Sequence, residues 1–138
     1  MKKTISSNVI YIFFSIVLLF VILSFTNENE TYVKFKTEVK IRKNIRYGEK
    51  CIFEFPFKNI GDKPLFIENV KTTSGCVVAY FNRDTIQPKM SSKIVIRYDS
   101  QRIGVIDKIA IVYFNIEKQA PIVLRIKGNI HPKEDGEK

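Results

Sequence analysis

The chain has 138 residues and a mass of 16.1 kDa, with 45% hydrophobic and 27% charged residues. That length fits one ordinary domain, and the apolar fraction is too high for intrinsic disorder. Lys and Arg number 23 against 14 Asp and Glu, a formal charge of +9, and the single His removes most histidine-based hydrolase and metal chemistry.

Residues 1–26 read as a signal-anchor. Lys2 and Lys3 precede an apolar stretch over residues 9–25 that is broken only by Ser15 and Ser24. At ~1.5 Å per residue this stretch reaches about 26 Å, enough for one transmembrane helix. Lysines before it, and Asn27, Glu28, Asn29 and Glu30 after it, keep the N-terminus in the cytoplasm. The expected product is a single-pass inner-membrane protein whose C-terminal domain lies in the periplasm. The alternative is secretion after signal cleavage, for which Ser24, Phe25 and Thr26 offer a mediocre cut site. Residues 27–31 then form a short linker.

Residues 32–131 read as one all-β domain, because apolar residues recur with period two between regularly spaced turns. Val33, Phe35, Thr37 and Val39 share one face of a first strand. Cys51, Phe53, Phe55 and Phe57 share the inward face of the next. Pro56 supplies no backbone donor, which predicts an exposed edge or a bulge in that strand. The turn Gly61, Asp62, Lys63, Pro64 leads into an apolar run at 65–70, and another strand follows Gly75 and Cys76 as far as Phe81. Ile94, Ile96 and Tyr98 point one way, opposite Lys93 and Arg97. Residues 106–115 are the most apolar run and predict a strand covered on both faces. Ile122, Leu124 and Ile126 share one face of the last strand, and the expected core holds Phe53, Phe55, Phe57, Ile67, Ile94, Ile96, Val112 and Leu124. Seven to eight short strands in about 100 residues predict a β-sandwich. Residues 132–138 form a charged, disordered tail.

The pattern Asn59-x-Gly61-Asp62-Lys63-Pro64-Leu65-x-Ile67-x-x-Val70 is followed by Thr73-Ser74-Gly75-Cys76, by Ile86-x-Pro88, and by Asp99-Ser100-x-Arg102-x-Gly104. This order resembles domain-of-unknown-function family 1573, over roughly residues 43–130. The resemblance implies an exported bacterial Ig-like domain, similar to the sandwiches of sperm-protein and cilia-associated type. That family usually carries Cys-Gly-Cys where this chain has Ser74, Gly75 and Cys76, so a paired-thiol role does not transfer.

Export places Cys51 and Cys76 in an oxidising compartment, which invites a disulfide worth about 3 kcal/mol in the chain-entropy model. The competing expectation is a free Cys51 acting as a small hydrophobe and a free Cys76 in a turn. His131 stands beside Pro132 in the tail, without an orienting partner for acid–base work. Asp62 and Asp84 read as turn residues. Asp84, Thr85 and Ile86 match a three-residue acceptor motif for O-linked glycans. No Gly-rich phosphate loop is present, and no catalytic residue, metal site or cofactor is expected.

Lys34, Lys36, Lys40, Arg42, Lys43 and Arg46 crowd the segment nearest the membrane helix. Export argues against nucleic acid as a partner and in favour of anionic headgroups or an acidic protein, while a solvated strand face accounts for the same residues. The expected function is therefore non-catalytic: an anchored module that binds another envelope protein. Its expected contact surface combines Gly61, Asp62, Lys63 and Pro64 with Thr73, Ser74, Gly75 and Cys76, or uses the edge beside Pro56. The alternative is a thiol-dependent redox or metal-handling protein using Cys76.

Overall fold

The computed structural model describes residues 7–23 and 32–133. The proposed linker 27–31 and tail residues 134–138 lie outside them, as does part of the expected 1–26 anchor. Helix α1 spans Ser7–Leu23, 17 residues without a charge. Among the described residues, no helix is long and apolar enough to cross a membrane.

Eight strands follow, in two four-stranded sheets packed face to face. The first sheet orders β1 (Val33–Phe35), β3 (Cys51–Asn59), β6 (Ser91–Tyr98) and β5 (Val77–Phe81), all antiparallel. The second orders β2 (Val39–Arg46), β8 (Ile122–His131), β7 (Gly104–Phe114) and β4 (Ile67–Thr72). Within it β2 runs parallel to β8, and the other pairs are antiparallel. The inward faces of both sheets supply the core, with Phe55, Ile94, Ile96, Val112 and Leu124 fully buried and Phe53, Phe57 and Ile67 nearly so. The rings of Phe57 and Phe114 meet edge to face across the sheets, with centroids 5.6 Å apart. Burying each such side chain contributes about 2–3 kcal/mol, which is why the period-two phase predicts the core well.

The expected first strand is two strands in different sheets. Lys36 N donates to Pro56 O at 3.0 Å and closes the ladder with β3. Thr37 Oγ1 then donates to Val39 O at 2.9 Å, turning the chain across to the second sheet. Val33 and Phe35 are buried, whereas Val39 is exposed. The basic residues are divided accordingly: Lys34 lies on β1, beside Lys58 of β3, and Lys40, Arg42, Lys43 and Arg46 lie on β2.

The open edge expected at Pro56 is present, while one further expectation needs correction. Strand β3 pairs with β6 without a bulge, and on its other side β1 pairs only with residues 57–59. Pro56 is tolerated because both backbone groups of a residue in an antiparallel strand turn to the same neighbour. Its carbonyl meets Lys36, so its nitrogen faces the place where β1 has already ended. Strand β7 is covered on one face only: Ile106, Ala110, Val112 and Phe114 are buried, while Ile109, Ile111 and Tyr113 are half-buried and Val105 is 79% exposed. Its outward apolar residues mimic, in sequence, a strand buried on both sides.

His131 is the last residue of β8 and does not belong to a frayed tail. Its carbonyl accepts from Tyr47 N at 2.9 Å, and its Nε2 lies 3.3 Å from Asn129 Nδ2. Gly128 of β8 permits β2 to approach, since a Cβ there would stand 2.6 Å from Arg42 O.

Candidate functional site

The turn 61–64 leaves β3 at Asn59, whose side chain is fully buried. Asn59 Nδ2 donates to Lys63 O at 2.9 Å and to Ile86 O at 3.0 Å, while Gly61 N donates to Asn59 Oδ1 at 3.0 Å. One amide thereby satisfies both of its donors and its acceptor on backbone groups. Gly61 sits against Tyr32, where a Cβ would come within 2.9 Å of Cδ1. Asp62 is the residue the sequence offers for a side-chain cap on this turn. Among the described residues Asp62 makes no such bond, and Asn59 does the capping. The quoted Asn59-x-Gly61 spacing was the signal, since Asn bonding a backbone amide two residues on is a known turn device.

Thr73, Ser74, Gly75 and Cys76 connect β4 to β5. Thr73 N donates to Ile109 O at 3.3 Å, Val77 N to Ser74 O at 3.1 Å, and Cys76 N to Ser74 Oγ at 3.3 Å. The serine found where the family pattern has its first cysteine thus shapes the loop through its hydroxyl. This loop and the 48–51 segment flank a cavity of about 490 Å³ lined by Glu49, Cys51, Cys76, Arg97, Tyr98 and Ser100. Ser100 Oγ donates to Glu49 O at 2.5 Å and Asp99 N to Cys76 O at 2.9 Å, tying its walls together.

Cys51 and Cys76 are both free, so the disulfide expectation is not met. The register gives the reason: Cys51 of β3 and Val77 of β5 both lie opposite Tyr98 of β6. An intervening strand separates the two by about 10 Å between Cα atoms, beyond the ~7 Å limit for a disulfide. Burial pushes the Cys51 thiol up, as it does the Tyr98 phenol, which the neighbouring Cys76 raises further. Among the described residues no group of three His, Cys, Asp or Glu side chains comes together as a metal site would require.

The two loops expected to form one contact surface lie at opposite ends of the sandwich. Turn 61–64 follows the last residue of β3, and the cavity lies beside its first. Nine residues of extended strand hold these ends ~25 Å apart. The structure therefore joins the 73–76 loop to Cys51 and separates it from the turn. Thr85 is exposed beside an Asn82–Asp84 turn in which Asp84 N donates to Asn82 Oδ1 at 3.0 Å.

Ion pairs hold charged residues of the second sheet. On the outer face of the second sheet Arg125 clasps Asp107 through two contacts of 2.6 Å, holding that carboxyl below the usual carboxylate range. On β2, Arg42 pairs with Glu49 and also donates to Lys50 O at 3.0 Å.

The family model described as protein of unknown function (DUF1573) matches residues 23–130. The chain belongs to that family. Among solved structures, this DUF1573 chain is similar to a protein of unknown function from Porphyromonas gingivalis W83 at 19% identity and a TM-score of 0.62, covering 70% of this chain and 46% of that one. The chain thus spans less than half of that protein. It is also similar to the ASH/PapD-like domain 7 of human CEP192, at 11% identity and a TM-score of 0.66 over 79% and 92% of the two chains. The YadV chaperone matches at 16% identity and a TM-score of 0.52, over 78% and 55%. At these identities the likeness establishes the Ig-like, PapD-like sandwich. No curated protein matches the sequence.

Proposed function

We propose that this DUF1573 chain is a non-catalytic, membrane-anchored module that binds another envelope protein from the periplasmic side of the inner membrane. The observation that carries this reading is the turn 61–64, a surface loop held rigid by the fully buried Asn59 amide. Loops positioned by a stiff scaffold are the usual recognition elements of such sandwiches. A chaperone among the similar structures points the same way.

The anchor rests on the uncharged residues 9–25 behind Lys2 and Lys3. Val9, Phe13 and Phe14 of α1 are exposed, which suits a lipid surrounding. Strand β1 begins at the same end of the sandwich as turn 61–64, because Val33 pairs with Asn59. Lys34 and Lys58, paired at that end, would then face the membrane, each contributing about 1 kcal/mol against anionic headgroups. An exported domain meets no nucleic acid.

Photo-crosslinkers at Lys63 and at Thr73, one at each end, test the reading in native membranes. The expected result is a discrete protein adduct from Lys63 that survives Cys76→Ser. Absence of any adduct, or loss of biological activity on Cys76→Ser with the fold intact, would overturn it and favour thiol chemistry. Carbonate extraction tests the anchor: the full chain should stay in the membrane fraction, and a soluble mature form starting near Asn27 would refute it.

A further inference from the structure

Strand β2 ends the second sheet, and among the described residues no strand covers its far side. Arg125 N donates to Glu38 O at 2.8 Å, and Val39 is the register partner of Arg125, which sets the phase of this parallel ladder. Alternate residues of β2 therefore turn their backbone groups to β8, and those between them, Val39 and Ile41, turn theirs to the open side. Val39 is already engaged by Thr37, whose hydroxyl donates to its carbonyl. Further along, Arg46 N donates to Glu49 Oε2 at 3.1 Å, closing the edge there. The open stretch between these two caps is centred on Ile41.

Its side-chain surroundings are specific. Ile41 is 64% exposed. It borders a groove of about 570 Å³ lined by Ile41, Lys43, Val105, Lys127, Asn129 and His131. Lys127 is the register partner of Ile41. Lys40, Lys43 and Lys127 make no ion pair among the described residues, and Asp107, the one acid lining the groove, is clasped by Arg125. A second copy of this chain fits poorly, because pairing two β2 edges would set Lys40, Arg42, Lys43 and Arg46 against the same charges.

We propose that the open edge of β2 binds an extended segment of a partner protein whose groove-side face, every second residue, carries both apolar and acidic side chains. The segment adds as a strand at Ile41, its groove-side apolar side chains cover Ile41, and its groove-side carboxylates meet Lys43 and Lys127. This rests on the reading that the domain binds protein, and it adds a second contact surface to the turn 61–64.

The test uses the full chain in neutral phosphatidylcholine nanodiscs and a labelled nine-residue peptide with Thr at odd positions and Val and Glu by turns at even ones, with the same peptide carrying Lys in place of Glu as control. The acidic peptide should bind at least tenfold more tightly than the control and slow amide exchange at Ile41. Ile41→Pro removes an N–H that faces the open side and leaves the β2–β8 ladder its donors. It should lower affinity at least tenfold without lowering the melting temperature. Should that variant misfold, the double variant Lys43→Glu/Lys127→Glu, made at surface positions, should abolish the preference for acidic peptide. Equal binding of both peptides, or an acidic preference that survives the double variant, overturns the proposal. So does protection of residues 39–46 by phosphatidylglycerol vesicles but not by peptide. If peptide binding fails while crosslinking from Lys63 still captures a protein, the binding function stands and only the β2 edge is refuted.

Discussion

Asn59 and Ile86 are joined across 27 residues of sequence by a buried hydrogen bond of 3.0 Å from the amide Nδ2 to the backbone carbonyl. The same Nδ2 reaches Lys63, so one side chain fastens the 61–64 turn to the segment that precedes β6. Asn59→Ala strands the Lys63 carbonyl and the Gly61 amide, while the Ile86 carbonyl keeps its bond from Leu65 N, and should cost about 1–3 kcal/mol in chemical denaturation. Asn59→Asp keeps the acceptor for Gly61 and loses both donations, so it should be nearly as damaging. A cost below about 0.5 kcal/mol for both would mean that the turn holds itself.

Phe55→Ala should cost about 3–5 kcal/mol, because the ring is fully buried at the centre of β3 opposite Ile94. For a domain this small that is enough to unfold much of the population at 37 °C. A melting temperature within two degrees of the parent would show that the core closes without this ring.

The two thiols should separate cleanly in a labelling experiment. Cys76 is partly exposed at the mouth of its cavity, whereas Cys51 is buried and its thiol is pushed up by that burial. A maleimide at neutral pH should modify one cysteine per folded chain and two after denaturation. Mild oxidation should leave the Cys51–Cys76 pair unlinked, and a stoichiometric intramolecular disulfide in folded protein would contradict the register across β6.

Asp107 should titrate below its ordinary carboxylate value, with the Arg125 hydrogen bond as the main cause. A carboxyl whose pKa is lowered by folding favours the folded state above its unfolded pKa. That preference is lost as pH falls through the lowered value. Arg125→Gln should return the Asp107 titration, followed by carboxyl NMR, to the ordinary range. It should also flatten the acid limb of the stability profile. The pair is exposed, so stability near neutral pH should change little.

What the chain reveals without its fold is the phase of each strand and hence the core. Phe53, Phe55, Phe57, Ile94, Ile96 and Leu124 declare themselves because burial rewards a period of two along a single strand, a purely local condition. The sandwich follows, since strands apolar on one face must cover that face. Local periodicity carries no record of which strands become neighbours. Thr37 and Val39 keep the alternation of Val33 and Phe35 while the chain crosses between sheets at Thr37. Ile109, Ile111 and Tyr113 look buried in the sequence, yet lie half-buried on the outward face of β7. The candidate site was legible as residues and not as an arrangement. The motifs at 59–64 and 73–76 stand close in sequence, but a six-residue strand, β4, carries the chain from one end of the sandwich to the other between them. Only the pairing of β3, β6 and β5 places Cys51 and Cys76 on either side of Tyr98, and only the parallel alignment of β2 with β8 leaves Ile41 facing an open edge. Those relations depend on contacts between residues far apart in the chain, which tertiary packing alone decides.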